Sequence, residues 1–158
     1  MTDELGYRPC VGVMLVNSDG KVFVGRRIDN KEGDWWQMPQ GGVDEGEDLE
    51  TAALRELAEE TGARGEHVTR IDRTKEPIRY DLPEELIGKL WGGKYRGQEQ
   101  IWFLARFSGA DTDIDLEAHD PAEFCDWKWV DAEQLPDLIV PFKKRVYRAV
   151  IEAFRELV

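Results

Sequence analysis

Residues 41–63 constrain this chain more than any other stretch: Gly-Gly-Val-Asp-Glu-Gly-Glu-Asp-Leu-Glu-Thr-Ala-Ala-Leu-Arg-Glu-Leu-Ala-Glu-Glu-Thr-Gly-Ala. Gly41, Gly42 and Gly46 punctuate an acidic segment, which reads as a turn and not as a strand interior. A helix is predicted to follow. Asp48 is its expected N-cap, with Thr51 three residues on leaving the capping box incomplete. Ala52, Ala53, Leu54, Leu57 and Ala58 favour helix, and Gly62 marks its end. At about 100° per residue, Glu56, Glu59 and Glu60 share about one third of the circumference. Leu54, Leu57, Ala58 and Thr61 fall on the other side, expected to pack on the protein body. Three carboxylates so spaced repel by about 0.2–0.5 kcal/mol per pair in an isolated helix, and no residue on that face is expected to offset this well. Charge runs are commonly solvated surface. The other reading is a bound divalent cation, because an oxygen-only donor set of this density suits Mg²⁺ or Mn²⁺.

The rest of the chain reads as strands and one further helix. Residues 10–16 and 21–27 form a predicted hairpin about Asn17-Ser18-Asp19-Gly20. Arg26 and Arg27 precede a polar loop, and Trp35 to Gln40 form a short strand feeding the acidic segment. Strands are expected over 67–73, 77–82, 98–107 and 123–130, a helical turn within 83–90, and loops over 92–97 and 111–121. Phe142, Val146, Ala149, Val150, Ala153, Phe154 and Leu157 recur at helical spacing from Pro141 onward. Lys143, Lys144, Arg145 and Arg148 crowd the start of that helix, against its dipole. They are either a solubilising face or a phosphate contact.

At 158 residues and 41% hydrophobic content, the chain suits one folded domain over 1–158. No apolar run reaches the ~18 residues of a membrane span, and no signal peptide is visible. Cys10 and Cys125 are isolated, which fits a reducing, cytoplasmic setting, and His67 and His119 have no companions for a zinc site. The net charge of −12 disfavours broad binding of nucleic-acid backbone, double-stranded DNA included. No feature specifies an oligomer.

The spacing Gly41, five residues, Glu47, seven residues, then Arg55-Glu56-Leu57-Ala58-Glu59-Glu60-Thr61-Gly62-Ala63 resembles the complete Nudix box. The resemblance implies an α/β fold, a mixed β-sheet sandwiched between α-helices (α/β/α), and a pyrophosphohydrolase acting on a nucleoside diphosphate linked to another group. Other segments narrow it: Gly6-Tyr7-Arg8-Pro9, Trp36-Gln37-Met38-Pro39-Gln40-Gly41-Gly42, Gly97 to Phe103, Glu123-Phe124 with Trp127-Lys128-Trp129-Val130, and Phe142-Lys143 with Val146-Tyr147. These resemble the bacterial RNA pyrophosphohydrolases and the related diadenosine polyphosphate hydrolases. The implied substrates are a 5′-triphosphorylated RNA end or a dinucleoside polyphosphate.

By that resemblance Glu56 and Glu60 are core metal ligands, Glu59 is a further ligand or the general base, and the Gly41 carbonyl adds an oxygen. Glu123 joins the metal cluster from outside the box. Arg55 orients the carboxylates, and Glu47 either pairs with it in the loop or is plain surface. Arg8 and Lys143 are candidates for the phosphates, Arg27 and Phe142 for a base sandwich, and Tyr80 and Gln98 for added hydrogen bonds. Phe142 is alternatively the first core residue of the last helix, and Trp35 and Trp36 read as packing residues. A non-catalytic nucleotide-sensing module and an acidic interaction domain are the readings from other classes.

Overall fold

The computed structural model describes residues 5–28, 35–88, 93–119 and 122–155. Its frame is one long parallel strand pair. β1 (Gly6–Val16) runs beside β7 (Tyr95–Phe107), in register from Tyr7↔Gly97 to Val16↔Arg106. Successive side chains alternate faces in a strand, so each of these strands feeds two cores. Val11, Val13, Leu15, Phe103, Ala105 and Phe107 pack with helix α1 (Leu49–Thr61) on one face. Met14, Val16, Trp102 and Leu104 pack on the other with Leu135 of α2 (Leu135–Leu138) and Val146, Tyr147, Val150 and Phe154 of α3 (Lys144–Phe154). The result is the expected α/β/α arrangement. Each large side chain buried there contributes about 1.5–3 kcal/mol.

The remaining strands complete a mixed sheet. β2 (Val22–Arg27) pairs antiparallel with β3 (Trp36–Gln37) and with β8 (Phe124–Val130). β5 (Val68–Arg73) and β6 (Ile78–Asp81) both pair antiparallel with β7, at its later and earlier halves. β4 (Gln40–Gly42) pairs with β1 through Cys10↔Gly42, Val11↔Gly41 and Gly12↔Gln40.

Several expectations change. Gly41 and Gly42 lie in a strand, because the partner that holds them extended is distant in sequence. The turn begins only after them, and Gly46 adopts φ 77°. The first hairpin closes on Asn17, whose Oδ1 accepts from the Asp19 and Lys21 amides, yet β1 and β2 share only the Val16↔Val22 register pair. β1 is instead claimed by β7. Tyr95 to Gly97 belong to β7 and not to a loop, since β1 pairs Tyr95 and Gly97 and β6 pairs Gly97 from the other side. A helical turn occurs at Glu84–Leu86. Residues 29–34, the predicted polar loop, and Leu157 lie outside the described residues. In the last helix Ala153 is exposed and Phe142 precedes it in a 3-10 turn, Pro141–Lys143, with 36% exposure, so neither belongs to the core stripe.

Among the described residues no helix is long and apolar enough to cross a membrane.

Candidate active site

α1 starts and stops as its sequence dictates. The Asp48 carboxylate accepts from the Thr51 amide at 3.2 Å, and Gly62 closes the helix in the left-handed region at φ 81°. Its buried face differs from the expected one. Ala52, Ala53, Leu57, Glu60 and Thr61 are buried, whereas Leu54 and Ala58 are only half-buried. The two small alanines let the helix lie close on the sheet, and that closeness carries Glu60 into the interior at 3% exposure. Its Oε2 accepts from the Gln40 amide at 2.9 Å.

The carboxylate face has a countercharge after all. Arg55 donates from Nε to Glu47 at 2.8 Å, from Nη1 to Glu56 at 2.9 Å and to Glu59 at 3.4 Å, and from Nη2 to the Gly42 carbonyl at 3.0 Å. One planar guanidinium thus ties the loop to the helix and aligns the glutamates, which suits its fixed fork of donors. Arg55, with the Asp44 amide, holds Glu47 down to about 2.

β4 distributes the site between the two faces of the sheet. The Gln40 side chain reaches the α3 side, where its Oε1 accepts from Gln100 Nε2 at 3.2 Å. Gly41 faces α1: a Cβ there would lie 2.1 Å from the Glu56 carboxyl carbon. Gly42 faces Arg8, whose Nη2 would be 2.6 Å from an added Cβ. Both glycines are therefore places where another side chain passes over bare backbone. Arg8, Gly42, Asp44, Glu56 and Tyr95 wall a cleft of about 480 Å³.

Three of the candidate substrate residues, Arg8, Lys143 and Tyr80, lie near the buried Cys10. Burial pushes the Cys10 thiol up to about 11 even though Arg8 and Lys143 stand near enough to oppose the rise, and Glu56 adds to it. Burial, then Arg27, pull Lys143 down to about 8. Its Nζ lies 5.6 Å from the Tyr80 ring centre and 5.9 Å from that of Phe142, and the two rings are 6.0 Å apart. Tyr80 and Gln98 are each 4% exposed, and Gln98 already accepts from Gln100 Nε2 at 2.6 Å. Arg27 ends β2 next to Glu123, whose carbonyl accepts from the Ile28 amide at 3.0 Å. Trp36 is buried beneath Lys128, which is 4.2 Å from its ring centre.

Electrostatics set the acidic half apart. Burial raises Glu56, and the charges of Glu59 and Glu123 raise it further against the pull of Arg55. Burial, then Glu56 and Glu123, push Glu60 well above the usual carboxylate range, opposed by the Gln40 amide and Arg27. Glu56, Glu60 and Glu123 therefore feel one another's charge although Glu123 is exposed and remote in sequence. As placed, no three acidic, histidine or cysteine side chains among the described residues are gathered closely enough to enclose a cation. The donor set still fits one. It is all oxygen, it crowds carboxylates whose mutual repulsion a cation would relieve, and bare Gly41 leaves its backbone beside Glu56.

The sequence profile of the NUDIX domain matches residues 6–150. This chain belongs to the Nudix family. An RNA pyrophosphohydrolase of Novosphingobium aromaticivorans is 70% identical over 154 residues, covering 98% of this chain and 96% of the relative. That of Erythrobacter litoralis is 60% identical over 156 residues, covering 99% and 95%. Among solved structures, the Escherichia coli dihydroneopterin triphosphate pyrophosphohydrolase superposes with a TM-score of 0.71 at 23% identity, covering 93% of this chain and 96% of that one. A Caenorhabditis elegans Ap4A hydrolase complex does so with a TM-score of 0.66 at 21% identity, covering 95% and 99%. These two likenesses concern the fold. Nudix hydrolases generally use divalent metal ions.

Within this Nudix hydrolase, sequence reasoning missed a buried glutamine row. Trp102 Nε1 donates to Gln100 at 2.8 Å, and Gln100 in turn donates to Gln98 and Gln40. The signal was available, because Gln98, Gln100 and Trp102 alternate along one strand face. Tyr147 was also missed as a fastener: its buried hydroxyl accepts from the Met38 amide at 2.8 Å, fixing α3 to the segment between β3 and β4. Tyr95 carried no local signal and enters the cleft only through the β1–β7 pairing.

Proposed function

We propose that this Nudix hydrolase removes pyrophosphate from the 5′-triphosphorylated end of RNA, using Mg²⁺ or Mn²⁺. The observation that carries the reading is one cleft walled both by Arg8, a cation for a polyphosphate, and by Glu56 from the acidic helix. Full-length similarity to relatives named RNA pyrophosphohydrolase supports the choice of substrate.

In this reading the Gly41 carbonyl, Glu56 and Glu60 hold the metal, with Glu59 and Glu123 beside them. The ion supplies charge neutralisation of the phosphates and a more acidic water. Arg55 keeps Glu56 and Glu59 oriented and does not touch substrate. Glu59, half-buried and anchored at 3.4 Å by Arg55 Nη1, accepts the proton of the attacking water. Arg8 and Lys143 bind the phosphates by charge-assisted hydrogen bonds. Arg27 and Phe142 stack on a base, which fits the exposure of Phe142, while Tyr80 and Gln98 shape the floor beneath.

A competition assay tests this. Purified protein, Mg²⁺, a short 5′-triphosphorylated RNA and diadenosine tetraphosphate are mixed, and both products are followed. Pyrophosphate release from RNA with the higher kcat/KM is expected. Preferential consumption of diadenosine tetraphosphate would transfer the assignment to dinucleoside polyphosphates, and consumption of neither would indicate a sensing module.

A further inference from the structure

The binding roles above leave one charged feature of the sequence without a use. Lys144, Arg145 and Arg148 follow Lys143 in α3, where cations at the start oppose the helix dipole. Lys144 approaches Asp137 at 3.9 Å. Arg145 instead turns to the sheet and donates through Nη2 to the carbonyl of Arg79, a neutral partner. That bond sets Arg145 against the Arg79 backbone, on a chain of net charge −12. With Tyr7 and Tyr80 the two arginines wall a surface hollow of about 680 Å³.

Tyr80 connects this hollow to the candidate active site. Its ring packs against Phe142 and Lys143 on one side, and the same residue lines the hollow on the other. Tyr80 itself is buried, so the accessible ring is that of half-buried Tyr7, with the Arg79 and Arg96 guanidinium carbons 5.2 and 5.5 Å from its centre. Two carboxylates also face the hollow, Glu76 and Asp81. Asp81 accepts from Tyr7 Oη at 2.8 Å and from Arg96 Nε at 3.1 Å, and Arg79 pairs with Glu99 at 2.6 Å. Arg145 is near enough to Asp81 to lower its pKa, but its own hydrogen bond goes to a carbonyl. The hollow thus presents a cation for phosphate, aromatic surface for a base, and acceptors for hydroxyl groups. A mononucleotide or dinucleoside polyphosphate has no phosphodiester to place there. A polynucleotide has one per residue, and its 2′-hydroxyl can donate to such acceptors.

We propose that the hollow between Tyr7, Arg79, Tyr80 and Arg145 binds the downstream nucleotides of single-stranded RNA, with Arg145 contacting a phosphodiester beyond the base held at Phe142. This rests on the RNA-end reading of the active site. It explains how an acidic protein adds affinity for a chain of nucleotides with few cations, since phosphate contacts position a ligand whatever its sequence.

The test uses 5′-triphosphorylated RNAs that share their first two nucleotides and differ in length from two to six. Binding is read by fluorescence anisotropy and hydrolysis by steady-state kinetics, beside thermal melts. Wild-type protein should gain affinity and kcat/KM with length. Arg145→Gln should remove about five- to tenfold of that gain and lower the salt slope by about one, with the two-nucleotide RNA handled as by wild type. Arg145→Lys should keep most of the gain. No gain with length in wild type, full gain in Arg145→Gln, or equal losses on short and long RNA would each overturn the proposal. Length-dependent, Arg145-dependent binding without hydrolysis would uphold the hollow and refute the RNA-end activity. Hydrolysis without length dependence would do the reverse.

Discussion

Adding one methyl group at Gly41 should separate catalysis from stability. The Cβ of Gly41→Ala would sit 2.1 Å from the Glu56 carboxyl carbon and 2.3 and 2.4 Å from its two oxygens, against an ordinary contact of 3.4 Å or more. Glu56 must therefore retreat by about 1.3 Å. What moves is the end of a side chain and not backbone, and it still has Arg55 to bond. Alanine also lowers the entropy of the unfolded chain by about 0.4–1 kcal/mol, offsetting part of the crowding. The net stability change should stay within about 1 kcal/mol, a shift of about 2–4 °C in Tm. Turnover should suffer far more, because a misplacement of about 1 Å can cost about 100-fold, or about 2.7 kcal/mol of barrier. Thermal melts and kcat at saturating metal measure both. Gly42→Ala is the internal control: it displaces Arg8, 2.6 Å from the added Cβ, and should act mainly on KM. Gly41→Ala with kcat within about threefold of wild type would refute the placement of Glu56 in the reacting centre.

Glu60→Gln keeps an oxygen for the Gln40 amide but removes a buried charge, so melts in chelator should show equal or higher Tm, while kcat falls by orders of magnitude and added Mg²⁺ stabilises the variant less than wild type. Lys143, lowered to about 8 mainly by burial, should lose its proton there in the free enzyme, so kcat/KM should decline above about pH 8 and Lys143→Arg should move that limb upward. Because the unfolded chain keeps this proton to higher pH, stability should rise with pH between about 8 and 10.5, a trend Lys143→Met should abolish in melts. Glu47 is depressed to about 2, so its pairing with Arg55 stabilises fully above about pH 4.5 and is lost as pH falls toward 2; the Tm gap between wild type and Glu47→Gln should close over that range. Phe142→Ala should raise KM through stacking worth about 1–3 kcal/mol with little change in Tm, given its exposure; a collapsed Tm with intact KM would make it a packing residue.

Local chemistry determined much of this protein before any folding was considered. The cap at Asp48, the stop at Gly62 and the strands over 10–16 and 98–107 depend on near neighbours, and structure and sequence agree on them. The resemblance of residues 41–63 to the Nudix box was equally legible, since its spacing is a property of the chain alone. Tertiary structure decided what depends on remote partners. Gly41 and Gly42 look like turn residues until β1 pairs with them, and the same glycines then become the surfaces over which Glu56 and Arg8 pass. Glu60 shares a helical face with Glu56 in any projection, yet only the close seating of Ala52 and Ala53 on the sheet buries it and raises its pKa. Tyr95 and Arg145 gain their places from strand pairing and from a contact across 66 residues, respectively. Burial and long-range pairing are properties of the assembled sheet, and periodicity within one segment cannot encode which distant segment will cover it.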